Sequence, residues 1–160
     1  MIVKDNFLEE GYFRSIQQFV MNPHFPWGFQ SEVANHGEIQ DDHFYFLHLL
    51  YDQGEPKSSL YPELIPFYEM LEVKAFIRSR VMLYTNQGKQ IIHERHVDKP
   101  YSHKASLLYL NTNNGFTEFD GGERVESVEN RLVTFDGSKE HSSSTCTDEK
   151  VRLVLAINYF

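Results

Sequence analysis

A single cysteine, Cys146, leaves no partner for an internal disulfide in these 160 residues. Structural disulfides belong to oxidising compartments, so a reducing one fits, and a lone thiol reads as a small buried apolar group. Basic residues are outnumbered: 15 Lys and Arg against 23 Asp and Glu give a formal net charge of −8. That balance offers no footprint for nucleic acid or an anionic membrane surface, and neither is expected as a partner. No apolar run is long enough to span a bilayer, and Lys4, Asp5, Glu9 and Glu10 stand where the core of a secretory leader would run. A cytoplasmic, soluble protein is the expectation. Internal repeats, low-complexity tracts and linkers are missing too, so the length points to one domain, 1–160.

Aromatic residues, by contrast, are plentiful, with 13 Phe and 9 Tyr to fill a core. Asn6 followed by Glu9 has the capping-box arrangement, and Leu8, Tyr12, Ile16, Phe19 and Val20 recur at helical spacing until Asn22-Pro23. This predicts a helix over 6–21. Residues 23–40 read as a loop or irregular strand. The run His43–Tyr51 suits a strand, although its length also allows a buried helix. Pro62 suits the first turn of a second helix with a stripe of Leu64, Phe67, Tyr68 and Leu71, in which Pro66 sits awkwardly. From residue 75 onward short strands and turns take over. Strands are expected at Ala75–Thr85, Ile91–Val97, Ala105–Leu110, Thr117–Phe119, Leu132–Phe135 and Val151–Tyr159, with turns at Asn113-Asn-Gly115, Asp120-Gly-Gly122 and Asp136-Gly137. The fold class this gives is α+β, mainly β. A helical and loop part (1–74) would pack on one sheet of a β jelly roll (75–160).

The chemistry concentrates in Gln90–Pro100. Side chains two apart on a strand point the same way, so His96 and Asp98 of His-Val-Asp would converge on one point, as adjacent metal ligands must. His141 is the best third donor, because three turn signals give the chain room to return antiparallel to the first pair. Two imidazoles and a carboxylate with three open positions form the facial triad of non-haem Fe(II) oxygenases. The bland alternatives are a solvent-facing His-Asp pair and a loop histidine beside Ser142, Ser143 and Ser144.

Arg152 is the second signal. Along the last strand Val151, Leu153, Leu155 and Ile157 form one apolar face, while Arg152, Val154, Ala156 and Asn158 share the other. A cation between Val and Ala on an inward face needs an anion, and a guanidinium takes a carboxylate through two parallel hydrogen bonds. A dicarboxylic co-substrate would satisfy it. Otherwise Arg152 opens the strand at its exposed end and pairs with Asp148 or Glu149.

The set His96-Val-Asp-Lys-Pro100, Leu107-Leu-Tyr-Leu-Asn111, Gly121-Gly122, Asn130-Arg-Leu-Val-Thr-Phe135, His141 and Val151-Arg152 resembles the double-stranded β-helix oxygenases that depend on Fe(II) and 2-oxoglutarate. The likeness is greatest to their prolyl-hydroxylase branch and covers roughly residues 80–160. It implies a dioxygenase that hydroxylates a substrate using Fe(II), 2-oxoglutarate and O2, with release of succinate and CO2. It implies His96, Asp98 and His141 as iron ligands and Arg152 as the clamp on the distal carboxylate of 2-oxoglutarate. Tyr109 corresponds to a tyrosine bonding that same carboxylate, and Tyr84 to a second pocket tyrosine. The loop at Ser142–Lys150 is larger than in that branch. The resemblance favours a prolyl residue in a peptide, with small-molecule substrates and the oligomeric state open. Rival readings are a cupin-like metal-dependent isomerase or hydrolase and a non-catalytic β-sandwich binding module. The remaining histidines read as bystanders. His93 is expected to face away from His96 together with Arg95, and His103 to rim the mouth. Packing is expected for His24, His36, His43 and His48.

Overall fold

The computed structural model describes residues 1–33 and 42–160. Alternation dominates the second half of the chain, and the strands follow it: β5 (Phe76–Thr85), β6 (Lys104–Tyr109), β7 (Phe116–Phe119), β8 (Arg124–Glu126), β9 (Leu132–Asp136), β10 (His141–Ser143) and β11 (Val151–Tyr159). Four strands precede them: β1 (Ile2–Lys4), β2 (Gly28–Gln30), β3 (Tyr45–Asp52) and β4 (Glu55–Pro56). The larger sheet runs β1-β9-β6-β11-β5-β3-β2 with β4 on β3, and the smaller runs β10-β7-β8. Every pairing is antiparallel. Together they form a double-stranded β-helix.

His43–Tyr51 resolves in favour of a strand, and with β1 and β2 it adds the first 74 residues to the same sheet. The sheet therefore extends beyond the stretch that alternation marks out.

Helix α1 spans Glu10–Val20, shorter than the pattern suggested, because Glu9 rather than Asn6 is the cap and accepts from the Tyr12 amide. Asn6 adopts a positive φ of 50° and lies outside the helix. Phe13, Ile16 and Val20 are buried against Leu108, Leu110, Leu153, Leu155 and Ile157, the outer face of the large sheet. Each such burial contributes about 1.5–3 kcal/mol. Arg14 grips Glu129 through two bonds of 3.0 and 2.8 Å, and Gln17 donates to the Leu110 carbonyl, which fixes the helix on the sheet. The second helical stretch is a 3-10 turn, Pro62–Leu64, followed by α2, Ile65–Met70. Pro66 falls in the first turn of this new helix, where no amide donor is required, and its awkwardness disappears.

The opposite face of the large sheet meets the small one across Met82, Tyr84, Leu107, Tyr109, Phe119, Val133, Val154 and Ala156. So β11 is a wall shared by two cores. Its odd residues face the helices, its even residues face the space between the sheets, as the sequence predicts. No helix among the described residues is long and apolar enough to cross a membrane.

Candidate metal centre

Ile91–Val97 is not a regular strand. It touches β10 and its continuation through two isolated bridges, Ile92 with Ser144 and His96 with His141. Four steps along the first segment oppose three along the second, so one extra residue is accommodated between the bridges, as in a bulge. This corrects the expected alternation. His93 does not share a face with Arg95: its ring is buried beside Tyr84 and His43, while Arg95 reaches outward to Glu118 at 2.7 Å.

Beyond the extra residue the geometry tightens. His96 and His141 exchange two backbone bonds of 2.9 and 3.0 Å, and the Asp98 amide bonds the Gly137 carbonyl at 2.9 Å. One side-chain donor atom from each of His96, Asp98 and His141 lies within 4.8 Å of the others. Nδ1 of His96 faces the Glu94 carbonyl at 3.3 Å and Nδ1 of His141 the Lys139 carbonyl at 3.0 Å. Against a carbonyl a ring nitrogen can only donate, so each Nε2 carries a lone pair free to ligate. Asn158 Nδ2 holds Asp98 Oδ2 at 2.9 Å and also bonds Nε2 of His103 at 3.2 Å. His103 is buried beneath the site, not at its rim, with Gly137 packed on its ring. Two imidazole lone pairs and a carboxylate converging on one point suit a divalent transition metal.

Burial, reinforced by the neighbouring His141, holds His96 down at about 4. Burial alone would raise Asp98, but Arg80, His141, the Asn158 bond and His96 together keep it below the ordinary carboxylate range. Both groups are thereby kept in their ligating forms at neutral pH.

Arg152 is 1 % exposed and, among the described residues, hydrogen-bonds neutral partners only. Nε donates to Ser127 Oγ at 2.7 Å, Nη1 to the Ser144 carbonyl at 3.1 Å and Nη2 to Thr117 Oγ1 at 3.0 Å. These bonds use three of the five N–H groups a guanidinium has. The rings of Tyr84 and Tyr109 flank it at 5.5 and 5.4 Å. Asp148 and Glu149 do not reach it; Asp148 caps the Asn114 amide instead. Gly115 lets the arginine pass, since a Cβ there would stand 2.6 Å from Arg152 Cδ. A cavity of about 40 Å3 is lined by Arg152 and by His96, Asp98 and His141 alike. It shares Tyr45, Arg80, His96 and Asp98 with a wider, polar opening of about 610 Å3. The inner space holds only a few waters before it opens onto the wider one.

No protein-family model and no curated protein matches the sequence, but solved structures match the fold. A prolyl hydroxylase from Trichoplax adhaerens, in complex with a hypoxia-inducible-factor peptide fragment, superposes with a TM-score of 0.72 at 13 % identity, covering 99 % of this chain and 82 % of its own. A Pseudomonas putida prolyl-4-hydroxylase gives 0.67 at 14 %, covering 99 % and 91 %. A Burkholderia pseudomallei oxidoreductase of the 2OG-Fe(II) oxygenase family gives 0.68 at 11 %, covering 99 % and 84 %. The fold is that of the prolyl-hydroxylase-like 2-oxoglutarate oxygenases.

Within this fold the two tyrosines divide. Tyr84 lines the inner cavity. Tyr109 is fully buried behind it, its hydroxyl donating to Thr117 Oγ1 at 2.9 Å. Sequence reasoning missed Thr117, Ser127 and the Ser144 carbonyl as supports of Arg152, and placed Asn158 on the Arg152 face without a role. Thr134 bonds Ser106 and does not line the cavity. His48 bonds the Pro26 carbonyl and Ser58, His43 lies 3.9 Å from Asp42, and His24 lines a separate recess. His36 lies outside the described residues. Cys146 is buried, as expected.

Burial, with His43 and Arg152 nearby, pushes His93 down to about 3. The unfolded chain therefore binds this proton more readily than the folded one. The stability His93 contributes is complete above its unfolded value near 6.5 and is lost as pH falls toward 3. A loss on the order of a few kcal/mol follows. Thermal melts across that window should show the decline in the metal-free protein; His96, also held low by burial, adds to it, and His93→Phe should make it shallower. An equal decline in the variant would place its origin elsewhere.

Proposed function

We propose that the protein is an Fe(II)- and 2-oxoglutarate-dependent dioxygenase that hydroxylates its substrate with release of succinate and CO2. The observation that carries this is Arg152, a buried cation with no ion-pair partner among the described residues, in the same chamber as two imidazoles and a carboxylate. His96, Asp98 and His141 would hold the metal on one side and leave its other positions open. The chemistry that ferrous iron supplies there is the activation of dioxygen, coupled to oxidative decarboxylation of the co-substrate. Arg152 would bind the distal carboxylate through its spare N–H groups. Thr117, Ser127 and the Ser144 carbonyl hold that fork in place, and Tyr84 and Tyr109 shield it from water. Asn158 orients Asp98. No side chain needs to act as a nucleophile; the protein positions and desolvates.

A cupin-like isomerase or hydrolase would share the three ligands but leave Arg152 without a task, and a binding module would need neither. The peptide held by the Trichoplax enzyme supports a prolyl residue in a peptide as one substrate, while folds of this kind serve many chemistries. The test is formation of succinate from 2-oxoglutarate. It should require both Fe(II) and dioxygen and should rise with the right member of a panel of peptides and amino acids. A protein with no affinity for 2-oxoglutarate in the presence of metal would sink the proposal.

A further inference from the structure

Two more arginines stand at the outer opening. Arg78 and Arg80 lie two apart on β5, so both side chains leave the same face of the large sheet. Both line the 610 Å3 opening with Gln30, Ser31 and Glu32, and Arg78 lines only that opening, not the inner chamber. Nε of each is buried without a hydrogen-bond partner among the described residues. The one carboxylate within 4 Å of them, among the described residues, is Asp98, at 4.0 Å from Arg78 and 3.7 Å from Arg80, too far for a hydrogen bond. Asp98 is also the residue whose charge a metal ion would claim.

Arg78 lies across the strand pair from Asp52, with no ion pair between them, and among the described residues Glu32 is the one acid lining the opening besides Asp98. Two half-buried guanidiniums beside a divalent ion repel one another and that ion, an arrangement that costs free energy until an anion arrives. The inner chamber already has its own cation for 2-oxoglutarate in Arg152. An anion at Arg78 and Arg80 is therefore a different molecule, on the solvent side of the metal ligands, where the substrate to be oxidised must enter.

Resting on the oxygenase reading, we propose that Arg78 and Arg80 bind an oxyanion of the primary substrate, a carboxylate or a phosphate close to the carbon that is oxidised. Free amino acids, a chain-terminal residue, an acidic neighbour in a peptide and phosphorylated small molecules all carry such a group. An internal prolyl residue among neutral neighbours does not. Guanidiniums recognise both anions through paired, charge-assisted bonds that a carboxamide cannot replace.

The test uses the full chain loaded with Zn(II) and 2-oxoglutarate without oxygen. Calorimetry then compares free L-amino acids and their N-acetyl forms with the matching carboxamides, and inorganic phosphate is added as a competitor. At least one acid should bind about tenfold or more tightly than its amide. Displacement by phosphate at low concentration would mark the phosphate class, and its failure to compete the carboxylate class. Arg78→Gln and Arg80→Gln should each erase the preference for acid. Acids and amides that behave alike across the panel, whether or not they bind, would overturn the inference. So would loss of Zn(II) affinity in step with the acid preference, because the arginines would then serve only to position Asp98. The 2-oxoglutarate affinity of the unaltered protein keeps the two proposals apart: its absence defeats the oxygenase reading, while its presence with no acid preference defeats this one alone.

Discussion

Asp98→Ala is expected to abolish turnover while leaving a folded protein. The variant keeps two imidazoles but loses the one anionic donor of the set. Changes in mere supporting partners of metal ligands cost about 10–100-fold in affinity or activity, and removal of a ligand should exceed that. The structural cost is small by comparison. The Asp98 amide still bonds the Gly137 carbonyl, and Asn158 keeps His103 as a partner. Arg78 and Arg80 lose a carboxylate that was never within hydrogen-bond reach, which at this partly solvated mouth is worth about 1 kcal/mol. For a domain of this size that moves the melting point by about 2–4 °C. Circular dichroism and calorimetric titration with metal would read both halves, with Asp98→Asn as the same-shape control. Full activity in Asp98→Ala would remove this residue from the metal centre.

Arg152→Met should separate stability from co-substrate binding. The substitution removes a buried cation that has no ion-pair partner among the described residues and fills its volume with an unbranched apolar chain. Against this, Ser127 Oγ, Thr117 Oγ1 and the Ser144 carbonyl each lose a donor, although Thr117 retains the Tyr109 hydroxyl. The two effects oppose, and the unliganded variant should stay within about 1 kcal/mol of the parent. Affinity for 2-oxoglutarate should fall by about a hundredfold or more, as two charge-assisted bonds are lost at about 1.5–3 kcal/mol each. At a hundred times its dissociation constant a ligand stabilises by about 2.7 kcal/mol. The metal-loaded parent should therefore melt about 5–10 °C higher with 2-oxoglutarate, and the variant should not respond. An equal rise in both would take the clamp away from Arg152.

The parity of β11 was legible because both of its faces are buried by different things, apolar helices outside and a chamber inside. Convergence of His96 and Asp98 was legible as well, but by a route the chain does not take. The polar run from Gln90 to Pro100 makes two bridges with an extra residue between them, so alternation misplaced His93 relative to Arg95. Tyr109 had its strand face right, and its hydroxyl shares Thr117 Oγ1 with the Arg152 fork, a link no pattern shows. The link from His103 through Asn158 to Asp98 joins residues far apart in sequence and leaves no local signal. Hydroxyls such as Thr117 and Ser127 are too common for a pattern to single out, and only the meeting of the two sheets selects them. Three-residue strands like β1 and β2 are too short for alternation to mark. Arg78 and Arg80 carry no local signal of their own; only the opening they line sets them apart.

The shared wall also dictates where the chain can lengthen. One added residue inside β11 would invert everything beyond it, sending Asn158 into grease and a leucine or isoleucine into the wet side, with no partial remedy. The same addition at the Gln53-Gly54 hairpin, whose glycine has only open space around it, would hang harmlessly in water. Length variation among sequences built this way should accordingly collect at such tips and stop short of the final nine residues before Phe160.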